Sequence, residues 1–183
     1  MKNLSPEARK ECLFLARKTL HELIRGQKEG SRYHPVQPEL LELRGAFVTL
    51  KRKGQLRGCI GYIEAVKPLW QTIVDCTGSS ARNDYRFPPV EPEELPEIHI
   101  EISVLTPRET IDDVSAIEVG RHGILLTKGV CRGLLLPQVA VEYGWDREQF
   151  LRHTCRKAGL PEDSWKKGAR IEIFSADVFG EEE

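Results

Sequence analysis

Leu56-Arg57-Gly58-Cys59-Ile60-Gly61-Tyr62 combines a thiol, a guanidinium and two glycines in a stretch that otherwise has the composition of a core strand. Glycine weakens the interior of a strand, and it usually marks a bulge, a bend or the close approach of a backbone or ligand. Strict alternation places Arg57, Cys59 and Gly61 on one face of this strand. The stretch therefore predicts a central strand with a candidate site on one face.

The chemistry of this face depends on what lies beside Cys59. A cation such as Arg57 next to a thiol favours the thiolate, which is the reactive form. The alternative is that Cys59 is a small buried apolar side chain and Arg57 pairs with an acid across the sheet. Glu101, on the polar face of the predicted strand Ile98–Leu105, is the expected partner of Arg57.

Outward from this strand, the chain predicts a sheet with helices on its apolar face. Phe47–Lys51 and Gln55–Tyr62 form a predicted hairpin through residues 52–54. A helix capped by Ser5 is expected to end at Gly26, and a second helix opens at Pro68. The alternating segment Arg170–Phe174 is expected to return to this same sheet as a strand.

The segment after Pro107 has a different pattern, with a second hairpin followed by two short helices. Asp146 and Gln149 have the spacing of a capping box. We therefore expect an α+β fold: a mainly antiparallel sheet flanked by helices, with a smaller hairpin-and-helix subdomain. The predicted domains are residues 1–112 with 168–183 as the main, discontinuous domain and residues 113–167 as the subdomain.

A composite site is the chemical hypothesis that these elements allow. Cys59 is the candidate nucleophile, and Glu101 and His122 are candidate acid–base groups. The candidate binding residues are Arg57, Gly58, Gly61, Asp84, Arg86 and Gln138. The alternatives are structural: Asp84 and Arg86 tied to backbone in a proline-bounded loop, and His122 as a turn residue beside glycines.

Composition excludes several classes of function. The chain has 183 residues, 30% of them charged, and no apolar run of about 20 residues, so neither a membrane span nor secretion is expected. Its five cysteines have no zinc-ligand spacing, which predicts free thiols in a cytoplasmic protein without a metal. The phosphate-loop, dinucleotide, HExxH and GxSxG motifs are missing, so no cofactor is expected either.

Charge is uneven along the chain although the net charge is −1. Residues 1–57 carry a net +7 and the remainder −8. Such asymmetry is typical of an interaction surface for an anionic partner, or of two halves that neutralise each other in the fold. Nucleic acid is the weaker partner, because exposed aromatics interleaved with Lys and Arg are not evident.

Several separated motifs resemble the AMMECR family, whose prokaryotic members are called AmmeMemoRadiSam system protein A. The central likeness is LRGCIG, Leu56–Gly61. Further matches, in the same order along the chain, are Phe47–Leu50, Asp84–Phe87, Ile100–Leu105, Leu135–Ala140 and Cys155–Trp165. Tyr85 stands where the family commonly has proline. The resemblance implies a fold, and Memo-like and radical-SAM proteins as partners, but not a reaction.

Two functions are therefore expected. The first is an adaptor or binding protein that uses a polar cleft around LRGCIG. The alternative is an enzyme or modification partner that uses Cys59 on a small or peptide substrate.

Overall fold

The chain forms two compact units. The structure, a computed structural model, describes residues 3–27 and 33–181. The first unit comprises residues 1–105 and 177–183, and the second comprises residues 106–176. The predicted subdomain, 113–167, lies inside the second unit. Within the described part of the chain, no helix has both the length and the apolar character needed to cross a membrane.

The first unit is a four-stranded sheet with two helices. Its strands run in the order β2-β1-β3-β8, which leaves β2 at one edge. Helix α2 packs against β1 and β2, and helix α1 packs against β3 and α2. These elements are α1 (Pro6–Ile24), β1 (Ala46–Arg52), β2 (Gln55–Tyr62), α2 (Leu69–Arg82), β3 (Ile98–Leu105) and β8 (Ala176–Gly180).

Local sequence explains where α1 begins and how the core forms. Ser5 caps the helix, since its hydroxyl accepts a hydrogen bond from the Ala8 N–H at 3.2 Å, and Pro6 follows in the first turn. The predicted start of this helix is confirmed. Side chains such as Val48 and Ile102 are fully buried in the core beneath the helices.

The second unit has its own sheet, in the order β4-β7-β5-β6, and its own apolar core around Phe150. Its elements are β4 (Glu109–Ile111), β5 (Gly123–Lys128), β6 (Cys131–Leu135), α3 (Pro137–Glu142), α4 (Arg147–Lys157) and β7 (Arg170–Phe174). The predicted capping box of α4 is confirmed: Gln149 N–H donates to Asp146 Oδ1 at 2.8 Å and Asp146 N–H donates to Gln149 Oε1 at 3.0 Å.

The α+β class, with antiparallel pairing and flanking helices, is confirmed. One strand assignment is wrong. Arg170–Phe174 does not return to the first sheet but pairs with β4 and β5, and β8 joins the first sheet instead. The alternation that predicts a strand does not indicate which strand it pairs with. The same pattern of residues fits a strand of either sheet.

Candidate functional site

A β-bulge interrupts the LRGCIG strand. Leu50 of β1 pairs with Gly58, but the next residue, Lys51, pairs with Leu56, so Arg57 is an extra residue without a partner in the ladder. The bulge breaks the alternation assumed from the sequence. Leu56 therefore lies on the same face as Cys59 rather than on the opposite one, which corrects that part of the prediction.

The two glycines beside Cys59 are explained by close packing. A Cβ on Gly58 would lie 2.2 Å from the carbonyl oxygen of Ser80, because helix α2 approaches β2 at this point. A Cβ on Gly61 would lie 2.3 Å from the ring of Phe47. Each glycine therefore has a structural role, because a backbone carbonyl or an aromatic ring already occupies the space that its side chain would need.

A serine of α2 is inserted into the ladder of the same strand. The Ile60 N–H donates to Ser80 Oγ at 2.8 Å, and the Ser80 hydroxyl donates to the Val48 carbonyl at 2.7 Å. Val48 and Ile60 face each other across β1 and β2. The hydroxyl thus bridges two strands and joins α2 to both of them.

Asp84 and Arg86 hold the outer edge of β2 at Cys59. Asp84 Oδ2 accepts the Cys59 N–H at 2.9 Å, and Arg86 Nη2 donates to the Cys59 carbonyl at 3.3 Å. Arg86 also donates to the Asp84 carboxylate through Nε at 2.8 Å and Nη2 at 2.6 Å. We call this arrangement the Asp84 clamp. It satisfies two backbone groups that an edge strand would otherwise leave unpaired.

The electrostatics of the clamp favour its charged form. The Asp84 side chain is buried, yet the hydrogen bond from Arg86 and the Cys59 N–H hold the pKa of its carboxyl well below the usual range. The same pairing raises the pKa of the Arg86 guanidinium. Both groups are therefore ionised at neutral pH.

The clamp belongs to a tight turn that displays an aromatic side chain. Phe87 N–H donates to the Asp84 carbonyl at 3.0 Å, which closes a four-residue turn. Tyr85, in the second position where proline is favoured, supports this turn without a proline ring. Its side chain is 95% exposed.

A polar row crosses the face of the sheet that carries Cys59. Thr49 lies directly between Cys59 on β2 and Glu101 on β3. The Thr49 hydroxyl donates to Cys59 Sγ at 3.3 Å. Glu101 is bonded to Lys51 Nζ at 2.8 Å. The row thus places a thiol, a hydroxyl and an ion-paired carboxylate side by side.

Arg57 has a different partner from the one expected. Its Nε and Nη2 donate to the two carboxylate oxygens of Glu94, each at 2.8 Å, so the expected pairing with Glu101 is wrong. The hydrogen bond from Arg57 lowers the pKa of Glu94 to about 2. The physical reason is the bulge, which removes Arg57 from the regular row of side chains across the sheet.

The hairpin tip is joined to the same acidic segment. Arg52 contacts Glu94 at 3.1 Å and Glu97 at 2.5 Å, and Lys53 contacts Glu97 at 3.3 Å. Arg52 and Lys53 of the hairpin turn thus form ion pairs within the fold.

The five cysteines divide into two groups. All are free thiols, as the spacing predicts. Burial raises the pKa of Cys12 and of Cys76 to about 12, and it also raises the pKa of Cys155. Cys59 and Cys131 are the two that are only partly buried.

His122 and Gln138 belong to the second unit. His122 Nδ1 accepts a hydrogen bond from the Glu118 backbone N–H at 3.1 Å, and the His122 backbone N–H donates to the Glu118 carbonyl at 2.9 Å. The imidazole therefore caps a turn. Gln138 is half-buried near the start of α3. Over residues 3–27 and 33–181, no group of three or more His, Cys, Asp or Glu side chains is placed to hold a metal ion.

Three residues around Cys59 were missed by sequence reasoning. Thr49 follows from the hairpin register once the bulge is known, and Ser80 lies in the small-residue face of α2 that the sequence does indicate. No sequence pattern indicates a role for Glu94, because the acidic segment that contains it, Pro92–Glu97, has the composition of an ordinary helical turn.

These features define the class of protein to which the molecule belongs. The molecule is a two-unit α+β protein with an antiparallel sheet in each unit, and a half-buried thiol lies on the polar face of the first sheet.

Comparisons with known proteins identify the family. The AMMECR1 family model matches residues 13–179. A protein of Methanothermobacter thermautotrophicus is 45% identical over 186 residues, which cover 98% of this chain and 97% of the relative. A protein of Methanopyrus kandleri is 48% identical over 179 residues, covering 92% of this chain and 86% of the relative.

A solved structure has the same fold. The crystal structure of the uncharacterised protein PH0010 from Pyrococcus horikoshii matches with a TM-score of 0.87 at 42% identity, covering 100% of this chain and 94% of that one. The chain therefore belongs to the AMMECR1 family.

Proposed function

We propose that this AMMECR1-family protein is an adaptor that binds a protein partner through the turn held by the Asp84 clamp. The observation that carries the proposal is the contrast within this turn: a buried carboxylate fixes its backbone, while the adjacent Tyr85 is 95% exposed. Tyrosine and arginine are enriched among the residues that dominate binding energies at protein interfaces. A turn that is already rigid loses little conformational entropy on binding.

Protection of the edge strand does not account for Tyr85. The clamp satisfies the N–H and carbonyl of Cys59 through Asp84 and Arg86 alone. Tyr85 contributes no side-chain hydrogen bond to this arrangement in the described structure. The proposal assigns the exposed Tyr85 ring to contact with the partner.

The charges near Cys59 also favour binding over acid–base catalysis. Asp84 is bonded to Arg86, Arg57 to Glu94, and Lys51 to Glu101. The hydrogen bonds from Arg86 and from Arg57 lower the pKa of Asp84 and of Glu94, so these two carboxylates stay charged and are poor proton shuttles. The surface around LRGCIG is thus polar and ordered, and its charged side chains neutralise one another in ion pairs.

The resemblance supplies the partners to test first, namely Memo-like and radical-SAM proteins. We expect the purified chain to bind at least one of these proteins from the same organism, measured by biolayer interferometry at 50 and 300 mM NaCl. Tyr85→Ala should raise Kd at least tenfold, about 1.4 kcal/mol, as for an interface hot spot. The clamp should stay intact, so the melting temperature should change little.

Tyr143→Ala is the matched control, because Tyr143 is another exposed tyrosine, at 67%, and lies in the second unit. It should leave Kd unchanged. The adaptor proposal fails if neither protein binds at 100 μM, or if the Tyr85 and Tyr143 variants bind equally well.

A thiol enzyme is the second candidate function. One observation favours it: the Thr49 hydroxyl donates to Cys59 Sγ at 3.3 Å, which places a polar hydrogen beside the candidate nucleophile. The test is metabolite turnover by the purified protein, compared with Cys59→Ser and Thr49→Val. Turnover that disappears with Cys59→Ser, and falls with Thr49→Val, would support the enzyme and overturn the adaptor.

A further inference from the structure

Strand β8 forms the second edge of the first sheet. The order β2-β1-β3-β8 leaves one side of β8 without a neighbouring strand in the described part of the chain. Two hydrogen bonds fix its register on β3: the Glu181 N–H donates to the Ile100 carbonyl at 3.0 Å, and the Thr106 N–H donates to the Ser175 carbonyl at 2.9 Å. The residue number rises by as much on β3 as it falls on β8, so the two strands are antiparallel and no bulge separates these points.

This register determines where the backbone groups of β8 point. In an antiparallel pair, alternate residues direct their N–H and carbonyl to the partner strand, and the residues between them direct theirs away. Since Ser175 and Glu181 bond β3, the odd-numbered residues of β8 face β3. The even-numbered residues, Ala176, Val178 and Gly180, therefore face away. Over residues 3–27 and 33–181, no group forms a hydrogen bond with their N–H or carbonyl.

The two edges of this sheet differ in their protection. Edge strands usually avoid pairing with other molecules through prolines, lysines, bulges or a covering segment. The β2 edge has a bulge at Arg57, and the Asp84 clamp covers both backbone groups of Cys59. Strand β8, with the sequence ADVFG, has no proline, lysine or bulge. One edge of the sheet is thus closed to strand pairing, and the other is open to it.

Helix α1 borders the β8 edge with paired charges. Arg9 Nη2 lies 2.9 Å from Asp177 Oδ1, and Arg17 Nε donates to Glu181 Oε1 at 2.8 Å. Leu13 lies between the two arginines at a spacing of four residues, so it is on the same side of the helix. It is only partly buried and offers an apolar contact. Because the charges beside β8 neutralise one another, two like copies can approach here without repulsion.

The strand matches a second copy of itself. An antiparallel copy of β8, placed about a two-fold axis at Val178, sets Val178 opposite the same residue of that copy and Ala176 opposite Gly180. Each outward N–H then meets a carbonyl. The small side chains of Ala176 and Gly180 leave room at both ends of the seam, and the two valines form a β-branched cross-strand pair. Val178 is 48% exposed, so it is accessible for this contact.

We propose that β8 pairs with β8 of a second copy of this chain, which joins the two first-unit sheets into one continuous eight-stranded sheet. The interface is self-complementary, as a two-fold dimer requires. It uses no residue of the Asp84 clamp, so it is independent of the proposed adaptor surface. A pairing of two five-residue strands is small beside the roughly 1,600 Å² of a standard interface, and we therefore expect a weak dimer with a Kd above about 1 μM.

The test is sedimentation equilibrium of the full chain between 2 and 500 μM. The average mass should rise from that of one chain towards that of two. Hydrogen exchange followed by mass spectrometry supplies the location: exchange in the peptide that contains residues 176–180 should be slower at 500 μM than at 5 μM. Tyr85→Ala should leave the dimer unchanged, so failure of the adaptor proposal and failure of this one are distinguishable.

Two variants of the same residue test the pairing. Val178→Pro removes an N–H that faces away from β3, so it blocks a second strand without breaking the ladder to β3. Val178→Lys sets two like charges opposite each other at the two-fold axis. Each should raise the dimer Kd at least tenfold. Val130→Lys is the matched control, because Val130 is fully exposed in a hairpin turn of the second unit, and it should leave Kd unchanged. If Val178→Pro lowers the melting temperature, Val178→Lys still decides.

Two results would overturn the proposal. The first is a monomer at every concentration up to 500 μM, which would leave the β8 edge to a strand of a different protein. The second is a dimer whose Kd is the same in Val178→Lys as in Val130→Lys, which would place the contact on another surface.

Discussion

Replacing the buried carboxylate of the Asp84 clamp tests how the candidate surface is held together. In Asp84→Asn, an amide oxygen in the place of Oδ2 still accepts from the Cys59 N–H and from Arg86 Nη2, but the amide NH₂ in the place of Oδ1 faces the Arg86 Nε donor. The substitution therefore loses the bond at 2.8 Å and removes the charge from the bond at 2.6 Å and from the hold on the Cys59 N–H.

The magnitude follows from burial. Hydrogen bonds to charged groups contribute about 1.5–3 kcal/mol each, and breaking a fully buried ion pair costs about 3–5 kcal/mol. The Arg86 side chain is 43% exposed and recovers part of its hydration, which reduces the loss. We expect Asp84→Asn to lower the free energy of unfolding by about 2–3 kcal/mol, or the melting temperature by about 4–12 °C.

The pH dependence supplies a second readout. The folded-state pKa of Asp84 lies below the ordinary aspartate value of 3.8, so the clamp stabilises the fold fully above that pH and progressively less as the pH falls below it. The stability difference between wild type and Asp84→Asn should therefore be constant from pH 5 to 8 and shrink from pH 4 to 2.

The assay is urea unfolding followed by circular dichroism at several pH values. Asp112→Asn, which changes an exposed aspartate in the second unit, is the matched control and should stay within about 0.5 kcal/mol of wild type. A loss below 1 kcal/mol at pH 7 would refute the reasoning. So would a difference that is as large at pH 2.5 as at pH 7.

Three further predictions concern β2, the strand of the LRGCIG motif. Iodoacetamide at pH 7.5 should label the two partly buried thiols, Cys59 and Cys131, before the other three cysteines. Site-resolved mass spectrometry measures the order, and faster labelling of a buried thiol would contradict this division of the cysteines by burial. Arg57→Gln should leave the labelling rate of Cys59 within about twofold, because the guanidinium is bonded to Glu94; a much slower rate would show that the cation acts on the thiol. Gly58→Ala should lower the free energy of unfolding by about 1–3 kcal/mol in urea titrations, since its Cβ would lie 2.2 Å from the Ser80 carbonyl; an unchanged midpoint would show that α2 can move away.

The features predicted correctly from the sequence depend on neighbouring residues. The cap of α1 at Ser5 needs only a hydroxyl within three residues of an N–H, and the capping box of α4 needs only Asp146 and Gln149 at the right spacing. The α+β class follows from the periods of apolar residues, which differ between helices and strands. Such signals are complete within a short segment, so they can be recognised before the fold is known.

The features that the tertiary structure decided depend on segments far apart in the chain. The bulge at Arg57 comes from pairing with β1, and it moves Leu56 to the face of Cys59. Glu94 becomes the partner of Arg57 because a distant turn packs beside the hairpin, whereas Glu101 lies on β3, with β1 between it and the strand of Arg57.

The placement of Arg170–Phe174 has the same cause. Arg170–Phe174 alternates as an edge or central strand of either sheet would, and only packing assigns it to the second one. Sequence alone thus determined the longer helices and strands, although not β4 or β8, because their formation depends on local hydrogen bonding and periodicity. The tertiary structure determined which strands pair and which charges meet, because a one-residue bulge or a distant loop changes those contacts without changing the local pattern.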